Sequence, residues 1–271
     1  MILDATEQVA PAAMLQSDLL SQVSGVVHGI TSRVPGMGLA NGNVAYSPPR
    51  DQEDAWAMRI AWCTALGLDP ESIVTAGQVH GSAVQVVLDE HRGIGARPGT
   101  GRVALCDALL TKSAGPVLLT LHADCLPILL VDPDLPSVAS VHAGWRGTVA
   151  DAAGAAVRTM STEFGSDPAR VLAFLGPSIC QQCYEVGDEV ANAWRTFAGP
   201  RSGKALNVED SRIIFDLKAA NRLQLLQSGL DESHIDVSPV CTKCQSDGWF
   251  SHRGQGTFTG RFGAIVAITA T

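Results

Sequence analysis

Apolar positions fall into short runs broken by Pro, Gly and Asp. The densest block is residues 117–147, VLLTLHADCLPILLVDPDLPSVASVHAGWRG, whose stretches 117–121, 128–131 and 138–141 are rich in Val, Leu and Ile. Such runs suit strands covered on both faces. Segments 26–32, 73–79, 83–88, 108–111, 171–175, 235–240 and 264–269 read as further strands. Helical spacing predicts helices over 51–66, 148–164, 186–197 and 215–228; Gly67, Gly165 and Gly229 follow three of them as stop signals. A short helix is expected over 16–23. Residues 33–49, 92–102 and 241–261 are rich in Gly, Pro or polar residues and read mostly as loops. No repeat or linker divides the chain. The expectation is therefore one mixed α/β (α+β) domain, with central mixed sheets flanked by helices, over 26–271. Residues 1–25 are expected to be a weakly structured N-terminal extension.

A hydrophobic content of 46% in 271 residues allows a sizeable core. A net charge of −8 argues against nucleic acid or an anionic membrane as partner, while leaving room for a local basic pocket that holds a small anion. No run approaches 18 apolar residues, so no membrane span is expected. The first twenty residues have no basic stretch before an apolar core and do not read as a signal peptide, which points to the cytoplasm.

Polar and thiol side chains gather at the ends of the apolar runs. His80, Cys125 and His142 each follow or interrupt one, in QVHG, HADC and SVHAG. Two imidazoles and a thiolate would make a three-ligand zinc site with a fourth position left for water, the layout of a catalytic ion. The alternative is a set of buried polar residues satisfied by the backbone. Asp107 and Asp124 flank the same block and are candidates for orienting a ligand or moving a proton, or else are turn residues. Gly144 and Gly147 bracket Arg146 where a helix is expected to begin, a pattern suited to an anion or else to a plain strand-to-helix turn with Trp145 packed and Arg146 solvated. The polar loop with Ser251, His252, Arg253, Thr259, Gly260 and Arg261 is placed to close over a substrate or to be plain solvated loop. Cys180-x-x-Cys183 and Cys241-x-x-Cys244 are a pattern associated with structural zinc, but they are separated by far more than the ~15–20 residues usual for one site, so buried or redox-labile thiol pairs are the favoured reading and a four-cysteine zinc site the alternative. There is no GxSxG, Walker A loop, dinucleotide-binding GxGxxG or zinc-deaminase signature.

QVHGSAV (78–84), CDALLT (106–111), LHADCLPILLVD (121–132), SVHAGWRGT (140–148), GPSICQQCYEVGDEV (176–190) and TGR (259–261) together resemble the laccase-domain or YfiH-like family. It is also known as the multicopper polyphenol oxidase family, and later as a purine nucleoside phosphorylase family. The resemblance runs from about residue 26 to the end. It implies a fold similar to the deamidase toxins and zinc on His80, Cys125 and His142. It implies phosphorolysis of adenosine, inosine and S-methyl-5'-thioadenosine, with adenosine deamination besides. Catalytic roles would fall to Cys125, His80, His142, Asp124 and Asp107, and substrate contacts to Arg146, Arg33, Asn43, Gln78 and Arg261. The partners so implied are a small nucleoside and phosphate, with the protein a monomer or homodimer. Two departures stand out: 33–43 reads RVPGMGLANGN in place of the usual glycine-rich segment, and SYRR is replaced by Ser251-His252-Arg253-Gly254. Two other chemistries use the same residues. One is a copper polyphenol oxidase, with Cu2+ in that site. Seven histidines with no His-x-His spacing argue against several copper sets. The other is a hydrolase or amidase in which His142 activates Cys125 as nucleophile.

Overall fold

A computed structural model describes residues 14–269. Along the chain come β1 (Val26–Ile30), α1 (Gln52–Ala65), β2 (Ile73–Thr75), β3 (Val84–Val86), β4 (Ala108–Thr111), β5 (Val117–His122), β6 (Leu126–Asp132), β7 (Ser137–Ala143), α2 (Trp145–Val149), α3 (Ala152–Thr159), β8 (Leu172–Leu175), β9 (Glu185–Val186), α4 (Asp188–Ala198), β10 (Leu206–Glu209), β11 (Arg212–Phe215), α5 (Leu217–Gln227), β12 (Ile235–Val237), α6 (His252–Gln255) and β13 (Phe262–Ile268). One sheet has the order β1-β13-β5-β2, a second β12-β8-β6-β7-β4-β3, and a small third β10-β11-β9. Both large sheets are mixed: β2 runs parallel to β5, β3 to β4 and β12 to β8, while the remaining neighbours are antiparallel.

The two large sheets pack face to face, and the period-2 alternation of their strands shows how. Phe262, Ala264, Val266 and Ile268 of β13 meet Leu129, Val131 and Val138 across the gap. Ile265 and Ala267, pointing the other way, lie under Trp56 and Trp62 of α1. On the far face of the larger sheet, Ile128, Leu130 and Val141 are covered by Ala153, Ala156 and Val157 of α3 and Leu225 of α5. The order is helix, sheet, sheet, helices. With both faces of the central strands covered, an unbroken apolar run costs nothing, and this is why 117–143 reads as it does.

Several elements differ from the sequence expectation. Residues 14–25 belong to the fold: Leu15 bridges Ile30, the Ser17 hydroxyl donates to Asp236 at 2.6 Å, and Leu20 is completely buried, worth roughly 2 kcal/mol. Only one helical turn, Leu20–Gln22, forms there, and residues 1–13 lie outside the described residues. The helix expected over 148–164 is broken at Asp151, which takes φ +63; α3 then starts in a new direction that presses its alanines onto the sheet. Strand β9 and the β10–β11 hairpin lie outside the elements that the pattern predicts, and β11 takes the start of the helix predicted from 215. No described helix is long and apolar enough to cross a membrane.

Candidate functional site

The connections β5–β6 and β7–α2 emerge side by side, since Leu126 pairs with Ala143 and Pro127 with His142. Cys125 and His142 thereby become neighbours. Asp107 immediately precedes β4, the other neighbour of β7, and its carbonyl accepts the His142 amide at 2.7 Å. Its buried carboxylate gathers the rest. It accepts the amides of Val79 (3.2 Å), His80 (3.0 Å) and Gly81 (2.7 Å), and Nδ1–H of His142 (2.9 Å). These bonds hold His80 at φ +63, a conformation unfavourable for a residue with a Cβ. Burial alone would raise the Asp107 carboxyl; the His142 ring and the Gly81 and His80 amides hold it below the ordinary value. With Nδ1 protonated toward Asp107, His142 turns Nε2 toward Cys125.

The donor atoms of His80, Cys125 and His142 all lie within 4.8 Å of one another. The two imidazoles meet edge to face, with centroids 4.9 Å apart and an interplanar angle of 82°. Burial pushes the Cys125 thiol up, but the charge and hydrogen bond of His142, aided by His80, bring it down to about 6. Burial lowers His142, and Cys125 and Asp107 outweigh it to raise the ring to about 9. Each group thus favours the charged form of the other, the thiol giving up its proton and the ring keeping its own, and a divalent cation would take that proton's place. Gly144 lies against this group: a Cβ there would stand 2.9 Å from Cys125 Sγ and 3.2 Å from His80 Cδ2. His142 is 3% exposed whereas His80 is open to solvent, so the group is closed behind and accessible in front. Two nitrogens and a sulfur with one open side suit zinc or a similar ion in a catalytic-type site. Among the described residues no other metal-capable group contains histidine.

Behind the donors, His122 serves as support. It is fully buried; burial and the charge of His142 keep its ring well below the ordinary value, hence neutral. Nδ1–H donates to the Cys125 carbonyl (3.2 Å), and Nε2 accepts from Thr120 Oγ1 (2.8 Å), which meets Ser140 Oγ at 2.7 Å. Asp124 has a different task from Asp107. At φ +80 it accepts Thr242 Oγ1 (2.6 Å), Ser251 Oγ (2.7 Å) and the Arg253 amide (2.6 Å), pinning the segment before β13 to the Cys125 turn.

The group opens into a cavity of about 600 Å³. Arg59, Arg102, Arg146, Arg253 and Arg261 line it; Asp124 is the acidic side chain in its wall. Among the expected substrate contacts, Gln78, Arg146 and Arg261 line the cavity and Arg33 and Asn43 do not. Both ends of Gln78 are engaged with the backbone of Leu121, at 2.8 Å each. Arg146 sits over the Trp145 ring at 4.3 Å, with Glu189 3.8 Å away. Asn43 is completely buried and accepts the Arg261 amide (2.9 Å), while Arg33 donates to the Asp247 carbonyl (2.9 Å). Arg59, Arg102 and Thr242 join the site without a place among the sequence candidates. Arg59 had a signal: it shares the apolar face of α1 with Ala55, Trp56, Trp62 and Cys63, and burial lowers it to about 10. The two CxxC pairs, read from sequence as buried or redox-labile thiols in preference to one zinc site, come together, with all four sulfurs within 4.8 Å of one another.

A model of the family described as multi-copper polyphenol oxidoreductase laccase matches residues 27–269. The purine nucleoside phosphorylase YlmD of Geobacillus stearothermophilus is 36% identical over 247 residues, 90% of each chain. The adenosine deaminase RL5 from an unknown prokaryotic organism is 36% identical over 212 residues, 75% of this chain and 78% of that one. The crystal structure of Geobacillus stearothermophilus YlmD superposes with a TM-score of 0.90 at 34% identity, covering 97% of this chain and 98% of that chain.

Proposed function

Because the chain belongs to the multi-copper polyphenol oxidoreductase laccase family, with enzymes among its relatives, we propose that it is a purine nucleoside phosphorylase of adenosine, inosine and S-methyl-5'-thioadenosine, with adenosine deamination at the same site. One observation carries this reading: a cavity of nucleoside size, walled by guanidiniums in a chain of net charge −8, opens onto the His80–Cys125–His142 group. Guanidiniums suit phosphate because their planar forks match its oxygens. Arg261 is suited to grip it. Burial and nearby Arg50 lower its guanidinium, so an arriving anion relieves both penalties. The arginines hold phosphate against the sugar, a phosphate oxygen bonds the anomeric carbon, and the purine leaves with the electrons of the broken C–N bond. Fixed positive charge around the phosphate and the departing base lowers that barrier without reorganising.

His80, Cys125 and His142 would hold a zinc ion, which supplies Lewis-acid polarisation of whatever group it binds. Asp107 fixes two of those donors, and Asp124 holds the 242–253 segment that closes the cavity. Several copper ions acting as a relay would need several histidine-rich sets, so the His80–Cys125–His142 group favours a single ion, whether zinc or copper. The test is incubation with adenosine, with and without phosphate, following ribose-1-phosphate, adenine and inosine separately. Adenine and ribose-1-phosphate should form together and only with phosphate; their absence refutes phosphorolysis.

A second reading has its own observation. Asp107, His142 and Cys125 form a hydrogen-bonded chain that ends on a thiolate, the arrangement of a cysteine nucleophile. Chelation separates the two. A cysteine hydrolase survives chelation and dies on alkylation, whereas the phosphorylase loses activity on chelation and regains it with added metal.

A further inference from the structure

Cys180 and Cys183 follow β8, while Cys241 and Cys244 follow β12, 61 residues further along. β8 and β12 are parallel neighbours in the larger sheet, so the loops leave it side by side in the same direction. The pairing continues past the strands: Ser178 bridges Cys241, and the Thr242 amide donates to the Ser178 carbonyl at 3.1 Å. Each CxxC then turns back on itself, with the Cys183 amide on the Cys180 carbonyl (3.1 Å) and the Gln245 amide on the Cys241 carbonyl (3.0 Å). The outcome is four sulfurs converging on one point.

Three features describe that point. Cys183 Sγ and Cys244 Sγ are 3.3 Å apart, and all four sulfurs are free. That separation is far from a disulfide's ~2.05 Å and close to the ~3.8 Å edge of a tetrahedron built on Zn–S bonds of ~2.3 Å. The amides of Cys180 (3.3 Å) and Cys244 (3.4 Å) both donate to Cys241 Sγ. A neutral thiol is a weak acceptor, so two amides aimed at one sulfur suit a thiolate ligand. Lys218 donates to the carbonyls of Ser238 (2.6 Å) and Val240 (2.7 Å), just before Cys241, and lies within reach of the charges of Cys180 and Cys241. A cation there offsets the double negative charge of four thiolates around a divalent ion.

We propose that Cys180, Cys183, Cys241 and Cys244 bind a structural zinc ion, separate from the His80–Cys125–His142 group. Four sulfur ligands leave no open position, so the ion performs no chemistry. It staples together two loops that build the active cavity. The first carries Ile179 and Tyr184, which line it; the second carries Thr242, which holds Asp124 beside Cys125. Either group can bind metal whether or not the other does, so the proposal stands apart from the reading of the cavity as a phosphorylase.

The test counts metal in the full-length protein, purified under reducing conditions, loaded with zinc and desalted. Cys244→Ser and Cys183→Ser should each carry one zinc per chain less than the unaltered protein, and Cys125→Ser should keep this ion. Because a cysteine variant can misfold and shed metal for that reason, the unaltered protein supplies a second readout. With zinc bound, Cys183 and Cys244 should resist alkylation, and chelation should expose both; cobalt in place of zinc should give intense thiolate-to-metal absorption that survives Cys125→Ser. Unchanged zinc content in Cys244→Ser and Cys183→Ser would overturn the proposal. So would alkylation of Cys183 and Cys244 that is indifferent to chelation, or disulfides among the four in reduced, zinc-loaded protein.

Discussion

Asp107→Asn keeps the shape of the side chain and removes its charge. The carboxylate serves four donors, the amides of Val79, His80 and Gly81 and Nδ1–H of His142. An asparagine offers one oxygen and presents an NH2 where an acceptor is needed. At least two of the four bonds are lost. At roughly 1.5–3 kcal/mol for each bond to a charged group, the cost is about 3–6 kcal/mol. A second effect acts on the site itself. An amide donating to Nδ1 would hold the ring's proton on Nε2, the nitrogen that must give it up for a cation to bind. Loss of such an orienting partner typically costs ~10–100-fold in metal affinity. Chelator competition measures the affinity and urea denaturation the stability. A variant that binds zinc as tightly as the unaltered protein and unfolds at the same urea concentration would refute the assignment of Asp107 as keystone.

Gly144→Ala places a methyl 2.9 Å from Cys125 Sγ and 3.2 Å from His80 Cδ2, so zinc content at this site should fall while circular dichroism stays unchanged; full zinc content would show that the neighbours give way freely. Arg261→Met should raise KM for phosphate roughly tenfold or more, as expected for a lost charge-assisted bond, with a smaller change for adenosine; equal changes in both would place the arginine elsewhere in the reaction. His28 is buried, which lowers its ring to about 4 although Asp236 pulls the other way, and its Nε2 accepts the Ser17 amide at 2.9 Å. Because the folded value lies below the unfolded 6.5, the unfolded chain alone takes up a proton between them. Stability from this residue is therefore complete above pH 6.5 and declines toward pH 4, by about 2 kcal/mol at pH 5. Urea midpoints at pH 7 and 5 should show that loss in the unaltered protein and a reduced loss in His28→Gln.

The central strands are legible because both faces of the sheet are covered, so their apolar runs are nearly continuous, and the polar residues that interrupt them stand out. That contrast makes His80, Cys125 and His142 candidates without knowledge of the fold. What those positions leave unsaid is who orients whom. Asp107 and Asp124 look alike in sequence, yet one gathers the donors and the other anchors a distant loop, a difference made by the strand order. The β10–β11 hairpin escapes notice because its turn residues Asp210 and Ser211 take positive φ without a glycine to signal it. The meeting of the two CxxC pairs is illegible for a similar reason: it follows from the parallel pairing of β8 with β12, to which chain spacing is blind. Arg59 was readable as a charge on an apolar helix face; Arg102, in a glycine-rich loop, offers no such cue.

The seven-residue strands β6 and β7 also give the molecule a working end and a handling end. Cys125 and His142 sit at one end of this pair, while the turn joining the strands lies at the other, some ~20 Å away at about 3.3 Å per residue. That turn closes on itself, because the Asp132 side chain accepts the amides of Asp134 and Leu135, and Leu135 is exposed. A dye, an affinity handle or a link to a solid support fixed at Leu135 would leave the mouth of the candidate site facing outward, a practical route to watching single molecules bind and release ligands.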